Sequence, residues 1–373
     1  MGMDGIELFH SGENFRGYVI QRRIGKGASA AVYLVRHEVL DAFYALKVLD
    51  PSVVAVGDPS FLRRFLREAR LATRIRHPNL VSVHDCGHDL EKDIYYLIMD
   101  YVPGSSLRNV LAFEGVVSVG HAASIVAQVA SALDAAQALH VVHRDIKPEN
   151  IMVQPDGCVK LVDLGIAKAN GLGDSLSTNT DSTFGTLSYI SPEQAQCSAD
   201  VDARADVYSL GMVFFEMLTG KCPYAGKNPA HVLAQILSDD PVPDVRDFAH
   251  DVQPEVAVLI RRMTVKDRNR RIPSPKVVLD ELGRLGLGGD VVRLSCGPTL
   301  APRPVEGMKT LLDGLGKTSE QSVDPLADPD DDTQEFISKR TAGSAAKRRK
   351  AVAAIIAVVL VLLIATLMLS MFV

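Results

Sequence analysis

The chain has 373 residues, which exceeds one average domain and suits a two-lobed globular unit followed by a tail. Its net charge of -5 provides no overall positive field, and this argues against nucleic-acid binding as the main activity. Its five cysteines are odd in number and widely spaced, so the sequence predicts neither a disulfide framework nor a zinc site.

The first predicted elements are strands around a glycine-rich turn. Residues 18–50 alternate short β-branched and aromatic runs with this turn. Gly25 and Gly27 would allow the backbone to approach phosphate groups closely and to direct N–H groups toward them. A glycine-rich turn alone is more often an ordinary hairpin. Here the next predicted strand carries Lys47, which favours a nucleotide-binding interpretation.

A basic amphipathic helix and a strand come next. Residues 60–76 place apolar side chains at helical spacing among arginines, with Glu68 in the middle. A helical glutamate is usually only solvated, but its spacing after Lys47 favours a pairing between the two. Residues 95–99 predict a buried strand. Beyond it the apolar period changes from two to 3.6, and residues 118–140 predict a long helix.

The densest cluster of chemistry-bearing residues lies at 143–150, with the sequence HRDIKPEN, and an Asp-Leu-Gly follows at 163–165. This stretch supplies a carboxylate, a lysine, an amide and a second carboxylate. An isolated His-Arg-Asp is usually a loop with a capping aspartate. Several further motifs follow in order, and such an ordered set does not arise by chance. They are Gly185-Thr186, Ser191-Pro192-Glu193, Asp206-Val207-Tyr208-Ser209-Leu210-Gly211 and the basic run 266–271.

Together these motifs resemble those of a serine/threonine protein kinase of the eukaryotic (Hanks) type found in bacteria. The resemblance implies an α+β, bilobal protein-kinase fold over residues 18–285. It implies a small, mainly β N-lobe at 18–99, a hinge at 100–103 and a larger helical C-lobe at 104–285.

The resemblance also implies a role for each motif. Asp145 would accept or orient the proton of the substrate hydroxyl, and Lys147 would neutralise the transferring phosphate. Lys47, held by Glu68, would grip the α and β phosphates of ATP. Mg²⁺, or alternatively Mn²⁺, would be held by Asn150 and Asp163. The other predicted ATP-binding residues are Ile24, Gly25, Lys26, Gly27, Val32, Ala45, Met99, Asp100, Val102 and Met152.

Substrate class and regulation follow from the same resemblance. Lys147 and Thr186 are typical of kinases that act on serine and threonine of proteins. Asp206 would brace the catalytic loop, and Arg271 would pair with Glu193. Arg144, helped by Lys168, would bind a phosphorylated activation segment, for which Thr178 and Thr180 are the candidates. A homodimer would allow phosphorylation in trans.

Ala30, Leu164 and Ser191 depart from the family pattern, where a glycine, a phenylalanine and an alanine are usual. Ala30 supports an alternative function, a membrane-tethered pseudokinase scaffold that binds nucleotide and recruits partners. A small-molecule kinase is a third alternative. The motifs at 185–186 and 191–193 argue against it, because they resemble peptide-docking elements.

The remaining segments predict a tether. After an N-terminal lead at 1–17 and the kinase domain, residues 286–350 read as a disordered linker with acidic and basic stretches. Residues 351–373 are uncharged and long enough for a transmembrane helix, and the basic run at 347–350 places the preceding side in the cytoplasm. We therefore expect a single-pass, C-terminally anchored protein of the cell (inner) membrane. The basic run would contact membrane lipid, and Thr310 resembles a site for phosphothreonine-binding (FHA-type) partners.

Overall fold

The computed structural model describes residues 8–27, 30–49, 59–163, 187–198, 200–224, 226 and 228–287. Their N-terminal part is a six-stranded antiparallel sheet in the order β1-β2-β3-β4-β6-β5. Its strands are β1 (Asn14–Phe15), β2 (Tyr18–Lys26), β3 (Ala30–His37), β4 (Phe43–Leu49), β5 (Val83–Asp89) and β6 (Ile94–Asp100). Helix α1 (Pro59–Ala72) lies between β4 and β5 in sequence.

Both faces of this sheet are covered. Phe9 and Phe15 pack with Tyr33, Val35 and Leu46 in a cluster on one face. Side chains of α1 join the main core together with residues of β5 and β6 on the other. Because β6 is covered on both sides, six of its seven residues are buried, which explains its continuous apolar run.

The C-terminal part is helical. The helices are α2 (Leu107–Glu114), α3 (Val119–Gln137), α4 (Pro192–Ala195), α5 (Ala203–Thr219), α6 (Pro229–Leu237), α7 (Pro254–Met263) and α8 (Pro275–Arg284). Fifteen of the residues of α5 are buried, from Ala203 to Leu218, so this helix is surrounded on all sides and forms the centre of the helical part. Asp202 caps its N-terminus and Gly220 ends it in the left-handed region.

A small sheet joins the two parts. Its strands are β7 (Ser105–Ser106), β8 (Ile151–Val153) and β9 (Val159–Leu161). The backbone of Leu161 exchanges hydrogen bonds with the segment before β5, at Asn79 and Val81. The Asn79 amide donates to Gln128 Oε1 on α3 at 2.9 Å. This junction fixes where the ends of β8 and β9 meet the N-terminal sheet.

The observed elements match the predicted pattern of a mainly β part followed by a helical part. The helices predicted at 60–76 and 118–140 are slightly shorter, at Pro59–Ala72 and Val119–Gln137. Among the cysteines of the described ranges, Cys158 is disulfide-bonded, whereas Cys86, Cys197 and Cys222 are free. Within the described ranges no helix has the length and apolarity to cross a bilayer. The predicted linker and the predicted span at 351–373 lie outside those ranges.

Candidate active site

The loop at 143–150 connects α3 to β8 and is held by the backbone at its start. Both carboxylate oxygens of Asp206, on α5, accept hydrogen bonds from this loop, from the N–H of His143 and of Arg144, each at 2.8 Å. Arg144 takes a left-handed backbone conformation with φ of 63°. Burial raises the pKa of Asp206 to about 7, although the two N–H donors favour its ionised form. The central helix thus sets the course of the loop.

His143 is fully buried and ties the loop to the segment after β9. Its Nε2 lies 3.2 Å from the carbonyl oxygen of Val162, and its Nδ1 lies 3.3 Å from the backbone nitrogen of Asp145. These partners assign the neutral tautomer with the proton on Nε2, because Nδ1 must accept. Burial lowers the pKa of His143 to about 4, which outweighs the nearby carboxylates of Asp145 and Asp163.

Asp145, Lys147 and Asn150 form one polar cluster. Lys147 Nζ lies 3.2 Å from Asp145 Oδ2. The amide nitrogen of Asn150 donates to the same oxygen at 2.9 Å and to the carbonyl oxygen of Asp145 at 2.8 Å. The carboxylate is therefore oriented by two donors, as a group that handles a proton or orients a hydroxyl requires.

Lys47 and Asp163 meet across the junction of the two sheets. Lys47, on β4, places Nζ 2.6 Å from Oδ1 of Asp163, which follows β9 and has a left-handed φ of 57°. The predicted partner of Lys47, Glu68, belongs to helix α1, and its side chain lies outside the described part of the structure. The pairing of Lys47 with Glu68 therefore stays a prediction.

A cavity of about 440 Å³ opens beside Asp163. Eight of the predicted ATP-binding residues line it, from the glycine-rich turn to β8. They are Ile24, Gly25, Val32, Ala45, Met99, Asp100, Val102 and Met152. Three others, Lys26, Gly27 and Lys47, are not among the lining residues; the backbone N–H of Gly27 instead donates to the carbonyl oxygen of Ala30 at 2.8 Å within the turn.

The apolar part of this cavity brings together residues from distant parts of the chain. Val32, Ala45 and Met152, all predicted to bind ATP, pack in one cluster with Val81 and Val162. A flat apolar slot of this kind suits an aromatic base. Val81 and Val162 were missed by the sequence interpretation, although Val162 directly precedes Asp163 and could have been found from that position.

Asp100 fixes the segment that links the two parts. It accepts hydrogen bonds from the N–H of Ser82 at 3.2 Å and from His84 Nε2 at 2.6 Å. Burial favours the neutral carboxyl, but these two donors prevail and lower the pKa of Asp100. The Asp100 carboxylate therefore binds other groups of the chain rather than a ligand, and it helps to hold the linking segment in place.

The segment that begins at residue 187, where the described residues resume after 163, is anchored by a buried ion pair. Arg271 donates to both oxygens of Glu193, at 2.7 and 3.0 Å, and lies over the Tyr208 ring at 4.9 Å. These are the partners that the sequence analysis paired. Ser191 caps α4, and Gln194 donates to the carbonyl oxygen of Arg144 at 2.9 Å, which links α4 to the catalytic loop.

The predicted regulatory residues are only partly visible. Among the described residues, the buried Nε of Arg144 has no hydrogen-bond partner, and the predicted binding of a phosphate by Arg144 stays a prediction. Lys168, Thr178, Thr180 and Thr186 lie outside the described residues.

The oxygen atoms at the cavity suit magnesium. Asn150 uses its nitrogen toward Asp145, so its carbonyl oxygen is not engaged in those bonds, and Asp163 supplies a carboxylate. The described residues contain no cluster of three or more histidine, cysteine or acidic side chains of the kind that holds a metal alone. Magnesium usually needs only one or two protein oxygens besides water and substrate phosphates, so the residues fit this ion.

Comparisons with known proteins agree with this geometry. The family model for the protein kinase domain matches residues 18–281. The serine/threonine-protein kinase PknB of Mycolicibacterium smegmatis is 37% identical over 273 residues, which are 73% of this chain and 43% of PknB. The serine/threonine-protein kinase PrkC of Bacillus subtilis is 38% identical over 67% of this chain and 37% of PrkC. The chain thus spans less than half the length of these two curated relatives. The crystal structure of the Mycobacterium tuberculosis PknI kinase domain is similar with a TM-score of 0.60 and 30% identity, over 74% of this chain and 99% of that domain.

Proposed function

Because the chain belongs to the protein kinase family of bacterial serine/threonine kinases, we propose that it transfers the γ-phosphate of ATP to serine and threonine side chains of proteins. The observation that carries this proposal is the contact of Lys47 with Asp163, a residue that lines the apolar cavity. A cation paired with a carboxylate of the cavity wall, beside apolar lining that suits a base, matches the distribution of charge in a nucleoside triphosphate with its metal ion.

The residues of the site would divide the work of phosphoryl transfer. Asp145, oriented by Lys147 and Asn150, accepts or orients the proton of the substrate hydroxyl. Lys147 offsets charge on the transferring phosphate, and Lys47 binds the phosphates that stay with the nucleotide. Since transfer passes through a loose transition state, positioning and charge stabilisation account for most of the rate.

Asn150 and Asp163 would hold magnesium. When bound, this ion neutralises phosphate oxygens and so favours attack on the terminal phosphate. Lys47 Nζ and Asp163 Oδ1 lie 2.6 Å apart, so the proposed phosphate-binding cation and the proposed metal-binding carboxylate are adjacent.

Regulation would use the activation segment. Thr178 or Thr180, phosphorylated by a second copy of the chain, would provide the anion for Arg144, whose Nε has no partner among the described residues. The apolar span at 351–373 and the basic run before it support a location at the cytoplasmic face of the cell membrane, and Thr310 supports recognition by FHA-type partners.

The pseudokinase alternative has less support. It rests on Ala30, whereas Lys47 contacts Asp163, Lys147 contacts Asp145, and the named relatives are kinases.

The substitution Asp145→Asn in the full-length chain separates the two functions. We expect the variant to retain ATP binding, measured by calorimetric titration. Its transfer of phosphate to serine or threonine of a protein substrate should fall by at least about 100-fold. Equal transfer by the wild type and the variant would contradict the proposed role of Asp145, and no transfer by the wild type would favour the scaffold.

A further inference from the structure

A second cavity, of about 500 Å³, lies in the helical part next to the catalytic loop. Glu149, one residue before Asn150, lines both this cavity and the nucleotide cavity. Its other walls come from α2, α5 and the segments around them. They include Arg108, Tyr189, Phe215, Glu216, Lys221 and Phe248. Because Glu149 belongs to the same loop as Asp145, this cavity shares a wall with the loop that carries the proposed acceptor-binding carboxylate.

Arg108 occupies the polar wall of this cavity. Its Nε donates to Glu149 Oε1 at 2.7 Å and its Nη1 to Glu216 Oε1 at 2.7 Å. Its third nitrogen donates to the Tyr189 hydroxyl. All three nitrogens of the guanidinium are thus engaged, and the side chain is only one-third exposed.

Glu216, the more buried of the two glutamates, has no carboxylate oxygen left for a ligand. Burial raises the pKa of Tyr189, so its hydroxyl stays protonated and donates to Glu216 Oε2 at 2.5 Å. With Oε1 bound to Arg108, both oxygens of Glu216 are used. Glu149 keeps one buried oxygen, Oε2, without a partner among the described residues. A single acceptor of this kind suits a neutral N–H or O–H donor.

Two carboxylates that face one cavity would otherwise form a site for a basic side chain, since a guanidinium binds such oxygens with two or more hydrogen bonds. Here the guanidinium comes from within the chain. Lys221, exposed at the rim, adds a second positive charge, and Phe215 and Phe248 supply an apolar wall.

We propose that Arg108 determines substrate specificity by filling the cation position beside the acceptor site, so that the cavity takes an uncharged side chain of the protein substrate rather than a basic one. This inference rests on the proposed kinase function. It assigns Arg108 a specificity role, with no part in the transfer step.

The test measures how well the full-length chain phosphorylates a set of substrate peptides. Each position flanking an acceptor threonine is set in turn to Arg or to Leu, and kcat/KM is measured for each pair. The Arg-to-Leu ratio is taken within one enzyme, so a partly unfolded preparation does not change it. In Arg108→Ala we expect this ratio to rise about tenfold or more at one position, through KM, because Glu149 and Glu216 become free to bind the peptide.

Further variants separate specificity from structure. Arg108→Ala with Glu216→Gln should return the ratio toward that of the wild type, because one of the two carboxylates is gone. Arg284→Ala removes an exposed arginine of α8 and should leave the ratio unchanged. If Arg108→Ala does not fold, Arg108→Lys keeps the charge but cannot serve three acceptors, and a smaller rise is expected.

An unchanged ratio at every position in folded Arg108→Ala, or in Arg108→Lys if only that variant folds, would overturn the inference while leaving the kinase function intact. A wild-type chain that prefers arginine at the position affected would overturn it as well. A wild type that phosphorylates no peptide or protein would overturn the proposed function and this inference together.

Discussion

At the scale of single residues, the catalytic loop depends on two polar side chains, Asp206 and His143, that are buried, an environment in which polar side chains are rare. Asp206 accepts both N–H groups at the start of the loop, and His143 connects the loop to the carbonyl oxygen of Val162. Burial lowers the pKa of His143 and raises the pKa of Asp206, and both shifts favour the neutral form of the side chain. The position of Asp145 therefore follows from side chains that never touch a substrate.

His143 makes stability depend on pH. Its folded pKa of about 4 lies below the value of 6.5 for an unperturbed histidine, so its stabilising effect is complete above pH 6.5 and is lost as pH falls toward 4. The shift corresponds to roughly 3 kcal/mol. We expect the free energy of unfolding of the wild type to exceed that of His143→Leu by less at about pH 4 than at about pH 7.

Urea unfolding of both proteins at the two pH values measures this difference. His121→Leu, which removes an exposed histidine of α3, is the matched control. A difference between wild type and His143→Leu that stays constant with pH would contradict the buried neutral imidazole.

At the scale of elements, the central helix α5 packs tightly against the end of α7 at Gly211. A Cβ added at Gly211 would lie 2.8 Å from Met263 Cβ and 2.8 Å from Thr264 Cγ2. Gly211→Ala must push the helices apart, and we expect a loss of about 1–3 kcal/mol in the free energy of unfolding.

Gly120→Ala is the control for that substitution. Gly120 is also helical, in α3, but a Cβ there would meet nothing within 4 Å. We expect this variant to be unchanged or stabilised by up to about 1 kcal/mol, because alanine restricts the unfolded chain. Equal stability of the two variants in denaturant titrations would show that the α5–α7 contact is not tight.

The elements themselves were largely predictable, and their contacts were not. Apolar periods of two and 3.6 place the strands and helices near their observed positions, because these periods reflect which side of each element is covered. The order of the motifs predicted that Lys47, Asp145, Asn150 and Asp163 belong to one site. Val81 and Arg108 escaped prediction because their contacts depend on how the sheets and helices meet. Arg108 lies 41 residues from Glu149 and 108 from Glu216, and nothing local to it marks either partner.

At the scale of the whole molecule, the proposed account includes a membrane anchor. If residues 351–373 span the bilayer, replacing Leu360 and Leu363 by arginine should abolish it, since a charge at the centre of a span costs about 2.5–3.5 kcal/mol. We expect the wild-type chain to stay in the membrane fraction after alkaline extraction and the double variant to be released. Release of both proteins would contradict the anchor and leave the kinase function untouched.

The central claim, phosphate transfer by this site, is tested most directly with labelled ATP and magnesium on the full-length chain. The account predicts label on the wild type, on Thr178 or Thr180 when the sites are mapped, and its loss in Lys47→Met and in Asp163→Asn. Lys276→Met, which removes an exposed lysine from α8, should transfer as the wild type does. Absence of label on the wild type while ATP still binds, or equal labelling of the wild type and both site variants, would contradict the account.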